Sequence, residues 1–215
     1  MYKVTRVVHY REDIDPADRA GLDDRVREAA AATHPDRTLI APTLPGVING
    51  GDLIVHLQFA DRDTWLQVRE DFDRVLGELP TTRLDGAEYS PGRGGRREDD
   101  GAQVYRTLLL RAEDAPAEIS EQFAADTLSM PRYVSSMLSW QLSPIDRSLG
   151  PTTWTHVWEQ EYRDLPGLLG EYMLHPVHWA VVDRWFDPEF PDYVVRTKIC
   201  HTFCDSDGRP VLYAQ

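Results

Sequence analysis

The sequence is short of cysteine and lysine, and both shortages restrict the chemistry open to it. Its two cysteines are Cys200 and Cys204. On one strand they would be about 13 Å apart, too far for a disulfide, so we expect reduced thiols. His201 between them would point to the opposite face, which argues against a metal site there. Lys3 and Lys198 are the only lysines, and neither has a sequence context typical of a Schiff-base lysine.

Positive charge and long apolar runs are also scarce. The 23 lysines and arginines face 36 aspartates and glutamates, which gives a net charge of -13. Such a surface repels nucleic-acid phosphates and anionic lipid headgroups. No apolar run approaches the length of a membrane span, and residues 1–4 are typical of a strand rather than of a signal peptide. We therefore expect a cytoplasmic protein with neither nucleic acid nor a membrane as its partner.

What the sequence does contain is an internal repeat. Residues 4–11 (VTRVVHYR) and 104–111 (VYRTLLLR) are related by a shift of 100 positions, and both have the apolar character of strands. Each is followed by an acidic residue and a proline, at Asp15 and Asp114, which is typical of a helix start. The chain therefore consists of two copies of one unit.

Each copy has the pattern of a strand, a helix, two strands, a helix and a strand. Thr64 is the expected cap of the second helix in the first copy, which continues to Leu79. The expected strands are 4–11, 38–44, 52–59 and 87–89 in the first copy and 104–111, 135–142 and 154–162 in the second, with His56 and His156 again 100 positions apart.

This order predicts an α+β fold of two ferredoxin-like βαββαβ units. The bare sheet face of such a unit exposes apolar side chains and must be covered. We expect the two halves to cover each other and form an intramolecular dimeric α/β barrel, with a further homodimer left open. The predicted domains are 1–91 and 103–215, joined by a polar, glycine-rich linker at 92–102.

A helix break in the second half carries the best candidates for catalysis. Pro176 suits the first turn of a helix, with His175 at the cap. His178 then lies in that first turn, where the positive end of the helix dipole favours the neutral imidazole. Tyr172 precedes the break and can face the same space. A neutral imidazole beside a phenol is a minimal acid/base pair.

The segment Tyr172-Met-Leu-His175-Pro-Val-His178, together with Thr155-His156, resembles the stress-responsive dimeric α/β-barrel family, over roughly residues 104–205. The similarity is strongest to the polyketide cyclases of that family. It implies that Tyr172 and His178 are the catalytic pair and that His156 lies near the pocket. The first half lacks this segment and is expected to be a scaffold. The expected substrate-binding residues are Trp158, Trp179, Trp140, Tyr105 and His175.

The resemblance implies a cofactor-independent lyase of secondary metabolism that closes an aromatic or poly-oxygenated polyketide by an aldol reaction. Proton removal by His178 and protonation by Tyr172 would suffice for it. One alternative is a monooxygenase or a haem enzyme of the same superfamily, with His156, His175 or His178 as an iron ligand. A zinc site at His175 and His178 has no evident third ligand. The other alternative is a non-catalytic binding module.

Overall fold

The computed structural model describes residues 1–97, 101–112, 115–196 and 198–212. The first half follows the predicted order of elements. Asp61 caps the second helix by accepting a hydrogen bond from the backbone N–H of Thr64 at 2.8 Å, so the prediction of Thr64 as the cap is wrong by one turn. The elements are β1 (Tyr2–Tyr10), α1 (Pro16–Ala32), β2 (Arg37–Pro42), β3 (Leu53–Phe59), α2 (Arg62–Gly77) and β4 (Thr81–Tyr89).

The second half repeats this order but replaces the second helix with shorter helical turns. The expected helix start at Asp114 lies outside the described residues, and the helix itself follows Pro116. The elements are β5 (Arg93–Arg96), β6 (Val104–Leu110), α3 (Ala117–Ser129), a 3-10 turn (Met130–Arg132), β7 (Met137–Pro144), β8 (Arg147–Leu149), β9 (His156–Tyr162), two π-helical turns (Gly167–Tyr172 and His178–Val182), a 3-10 turn (Asp183–Trp185) and β10 (Cys200–Asp205).

The strands form two five-stranded antiparallel sheets. Their orders are β2-β3-β1-β4-β8 and β10-β6-β9-β7-β5, which contain the ferredoxin-like order in each half. The predicted α+β fold of two such units is confirmed. The inner faces pack on each other, with Val7 and Ala87 of the first sheet against Leu109, Val157 and Cys200 of the second. Burial of these apolar faces against each other is what holds the two halves in one barrel.

Each sheet is extended by a strand from outside its own unit. β5 lies in the predicted linker at 92–102 and pairs with β7, while β8 belongs to the second half and pairs with β4 of the first. Glycine makes the first pairing feasible, because a Cβ on Gly95 would lie 2.7 Å from the Trp140 ring. Residues 93–96 therefore form the edge strand of the second sheet.

A buried polar network crosses between the two sheets. Lys3 donates to Gln141 at 2.7 Å and to Glu159 at 3.1 Å. The Tyr105 hydroxyl donates to Glu159 at 2.8 Å and lies 3.2 Å from His56 Nδ1. Burial and the Glu159 charge raise the pKa of Tyr105 well above its ordinary value, so it stays a donor. Since buried polar groups need partners, this network fixes how the two sheets align.

The 100-residue spacing of His56 and His156 does not reflect structural equivalence. Thr5 lies opposite His56, whereas Tyr105 of the second half lies opposite Glu161, five residues beyond His156. An odd shift reverses the face to which a side chain points. His56 accordingly lies between the sheets, and His156 lies on the helix side.

The cysteines behave as the sequence predicts. Cys200 and Cys204 are free and buried, and both belong to apolar clusters between the sheets. His201 alternates to the helix side of β10, together with Phe203. No helix in the described part of the chain is long and apolar enough to cross a membrane.

Candidate functional site

The predicted helix break lies between the two π-helical turns of the second half. Tyr172 ends the first turn and His178 begins the second. His175 Nδ1 accepts a hydrogen bond from the Val177 N–H at 3.1 Å, and its carbonyl accepts one from the His178 N–H at 2.9 Å. His175 therefore caps the second turn. π-Helical turns recur at functional sites because they redirect side chains.

This break brings Tyr172 and His178 into direct contact. Their ring centroids are 4.7 Å apart and the rings meet edge to face at 76°. Both side chains are buried, with 1% and 7% of their surface exposed. His178 Nδ1 lies 3.3 Å from a carboxylate oxygen of Asp183, without the alignment of a hydrogen bond. A small rotation of either group would allow that carboxylate to stabilise a protonated imidazole.

Both rings line a cavity of about 160 Å³ between the helical turns and the outer face of the second sheet. An engineered cavity of about 150 Å³ in another protein holds benzene, so this space accepts one aromatic ring. The cavity's apolar walls are Leu108, Leu110, Val182, Phe186 and Ile199.

Five side chains around this cavity carry a buried polar atom without a hydrogen-bond partner in the described structure. Native proteins pair the great majority of such atoms. Five such atoms around one cavity show that its lining can form hydrogen bonds with a polar ligand. The atoms are Arg106 Nε, Thr127 Oγ1, Trp158 Nε1, His178 Nδ1 and His201 Nε2.

Arg106 and His201 are cavity residues that the sequence analysis missed. Burial and the Arg106 charge lower the pKa of His201 to about 2, so His201 is neutral at physiological pH. The available signal was strand alternation, which places His201 on the face opposite Cys200 and Cys204. That signal does not reveal which face the helices cover.

The first half contributes to this site. Ile48, from the loop between β2 and β3, lines the cavity. The loop also pairs with β10, since Ile48 and His201 exchange two backbone hydrogen bonds of 3.0 Å. The first half therefore holds the strand that carries His201, which goes beyond the scaffolding role expected for it.

Among the predicted catalytic residues, His156 lies apart from Tyr172 and His178. It packs against Phe123 at 5.9 Å on the helix side of the second sheet, and its Nδ1 lies 2.8 Å from Thr155 Oγ1. Burial lowers the pKa of His156. It does not line the cavity, because it sits at the first residue of β9, beyond the cavity's end.

Of the predicted substrate-binding residues, only Trp158 lines the cavity. Trp179 is 62% exposed and donates its indole N–H to the Met173 carbonyl at 3.0 Å. Trp140 packs against apolar clusters under the helices. His175 is the cap described above and Tyr105 belongs to the network between the sheets, so neither lies at the cavity.

A separate group of ligand-type atoms lies between the sheets, at His9, Asp85 and Cys200, all within 4.8 Å of one another. The Asp85 carboxylate is already engaged, since Arg83 Nε approaches one oxygen at 2.6 Å and Trp154 donates to the other at 3.3 Å. A metal there would have to displace the arginine charge. The group is better explained as an ion pair.

Comparison with known proteins bears on the fold. Residues 104–198 match the profile of the Stress responsive A/B Barrel Domain. No curated protein sequence matches the chain significantly.

Solved structures resemble both halves together. An anthrone oxidase-like protein has 11% sequence identity and a TM-score of 0.67, with 95% of this chain and 90% of that chain covered. A candidate monooxygenase from Lactobacillus acidophilus NCFM has 13% identity, a TM-score of 0.52 and coverage of 95% and 92%. A mutant chlorite dismutase from Candidatus Nitrospira defluvii has 9% identity, a TM-score of 0.57 and coverage of 94% and 90%. At these identities the similarity shows the fold alone.

Proposed function

We propose that the protein is a cofactor-independent enzyme that performs acid/base chemistry on a ring-sized carbonyl compound, and the match of residues 104–198 to the stress responsive A/B barrel domain supports this. The reaction we propose is an aldol-type ring closure of a polyketide-like substrate. The observation that supports it most is the contact of the Tyr172 phenol and the His178 imidazole in one cavity with apolar walls.

In the proposed mechanism His178 removes a proton from the carbon next to a carbonyl. Asp183 stabilises the imidazolium that forms, from its position 3.3 Å away. The enolate attacks a second carbonyl of the same molecule, and a carbon–carbon bond closes the ring. Tyr172 gives its proton to the resulting alkoxide. The proton taken by His178 then returns to Tyr172, so the ring closure consumes no co-reactant.

The shape of the cavity supports the intramolecular step. Its size requires an extended substrate to fold before it fits, and its walls are largely apolar. Holding two reacting carbons in contact removes much of the entropic cost of their meeting. The volume of about 160 Å³ favours a product with a single ring.

The first half of this mechanism can be tested without the natural substrate. Acetophenone is a ring-sized ketone whose methyl protons exchange slowly in neutral D₂O. We expect the wild-type protein to accelerate deuterium incorporation, measured by proton NMR, and His178→Gln to lose about 10²-fold or more of that acceleration. Tyr172→Phe should retain most of it, because in this mechanism the phenol acts on the alkoxide that forms only after ring closure.

The matched control is His156→Gln, which makes the same change outside the cavity and should retain the wild-type rate. Loss of exchange in His156→Gln, or no acceleration by the wild-type protein, would refute the assignment of His178 as the base.

A second candidate function is oxygenation of an electron-rich phenol. Two observations favour it: Trp158 lines the cavity and its indole N–H has no hydrogen-bond partner among the described residues, and one solved structure with this fold is an anthrone oxidase-like protein. The phenol would supply the electrons, with one oxygen atom of O₂ entering the ring and the other leaving as water. Enzyme-dependent oxygen uptake with 1,3,5-trihydroxybenzene would favour this reaction. Ketone exchange without oxygen uptake would favour ring closure.

A further inference from the structure

The two repeats carry an arginine at an equivalent position, but in the described part of the chain its charge is neutralised by carboxylates in the first repeat alone. Arg6 of β1 and Arg106 of β6 occupy the same position in the 100-residue repeat, and each guanidinium lies over an aromatic ring on the helix side of its sheet. In the first half, Arg6 donates to Asp73 at 3.0 Å and to Glu88 at 2.7 Å. Its charge is therefore neutralised by two carboxylates.

Arg106 has no such neutralisation. It is 3% exposed, and within the described residues no carboxylate lies within 4.0 Å of its guanidinium. Its Nη1 donates to the neutral amide of Gln160, its Nε has no partner, and the group lies 5.2 Å from the centre of the Tyr172 ring. Asp183, the acidic residue at the cavity, is directed to His178 instead.

Burial of an uncompensated charge is costly, and a guanidinium cannot discard its proton to avoid that cost. The neutral His201 imidazole lines the same cavity, and its Nε2 has no hydrogen-bond partner among the described residues. In the tautomer that carries the proton on Nε2, His201 is a second donor for the same acceptor. A carboxylate is the usual partner of a guanidinium in proteins, because its two oxygens match the paired N–H donors.

We propose that the cavity binds an anionic ring compound, with a carboxylate of the ligand paired to Arg106 and hydrogen-bonded by His201. The inference rests on the proposed function for the location of the site and adds the charge class of the substrate. The aromatic or pre-aromatic ring lies against the apolar wall, beside Trp158 and Tyr172. The reacting carbonyl then faces His178, and the pairing of the carboxylate with Arg106 fixes the orientation of the ligand.

The test compares benzoate with benzamide, which have nearly the same shape and differ in charge. By isothermal titration calorimetry, we expect wild-type protein to bind benzoate at least about tenfold more tightly than benzamide, as for a hydrogen bond to a charged group. Arg106→Gln should abolish this preference, and Arg106→Lys should keep part of it. Thermal melting of each variant checks that it is folded.

The matched control is Arg132→Gln, which removes the same charge from an exposed position in the same half and should leave the preference unchanged. Equal affinity of wild-type protein for the two probes, including no binding of either at millimolar concentration, overturns the inference. So does a preference that survives Arg106→Gln. Acetophenone is uncharged, so deuterium exchange on it tests the His178 mechanism independently of this result.

Discussion

Replacing each of the two equivalent arginines with methionine should have opposite effects on stability. In Arg6→Met the buried Glu88 carboxylate loses one of its two arginine partners and Asp73 loses a partner. Removal of one member of a buried ion pair costs about 3–5 kcal/mol. Arg147 still pairs with Glu88, so we expect the lower end, about 3 kcal/mol, which lowers Tm by about 6–12 °C for a chain of this size.

Arg106→Met removes a buried charge that no carboxylate neutralises. It also removes the hydrogen bond to Gln160 and the contact with the Tyr172 ring, each worth about 1 kcal/mol. The relief of an uncompensated charge offsets these losses. We therefore expect the free energy of unfolding to change by less than about 1 kcal/mol, or to rise.

Calorimetry on ligand-free protein at one pH and salt concentration measures both variants. A loss of stability in Arg106→Met as large as in Arg6→Met would show that the Arg106 charge is already compensated within the fold. The argument for an anionic ligand would then fail, whereas the contact between Tyr172 and His178 would be unaffected.

Three further outcomes follow from the structure. Because the pKa of His201 is lowered, the unfolded state binds a proton that the folded state does not, and stability falls as pH drops below about 6.5. The unfolding free energy of His201→Gln should fall less steeply with pH, by up to about 1.4 kcal/mol per pH unit. Equal slopes for the two proteins would contradict the burial of a neutral imidazole. His175→Ala removes the cap on Val177 and should cost about 1 kcal/mol in urea unfolding, whereas the same change at its exposed neighbour Leu174 should cost little; equal costs would refute the cap. Arg69→Ala, in the first half, should leave ketone exchange at the wild-type rate, and a severe loss would place part of the chemistry there.

The sequence was most informative where the structure is local. The break at Pro176, the cap at His175 and the shared location of Tyr172 and His178 all depend on residues within one or two helical turns of each other. Helix capping and proline geometry act over that distance. Strand periodicity was equally sufficient for the order of elements in each half, and the need to cover two apolar faces predicted that the halves pack together.

Sequence periodicity did not predict the features that depend on contacts between residues far apart in the chain. The pairing of β5, from the predicted linker, with β7 and of β8 with β4 of the first half depends on tertiary contacts between strands far apart in the chain. The position of His156 depends on a five-residue difference in connection length between the halves, which the regular spacing concealed. Arg106 and His201 required knowledge of which sheet face the helices cover, and periodicity alone leaves that face undetermined.

The most direct test of the central claim is a histidine-resolved NMR titration with acetophenone. Long-range proton–nitrogen spectra report the imidazole nitrogens, and single His→Gln variants assign them. We predict that acetophenone shifts the signals of His178 and His201, which line the cavity, and leaves His156 unchanged. A shift at His156 with none at His178 or His201, or no shift at any of the three, would contradict the account.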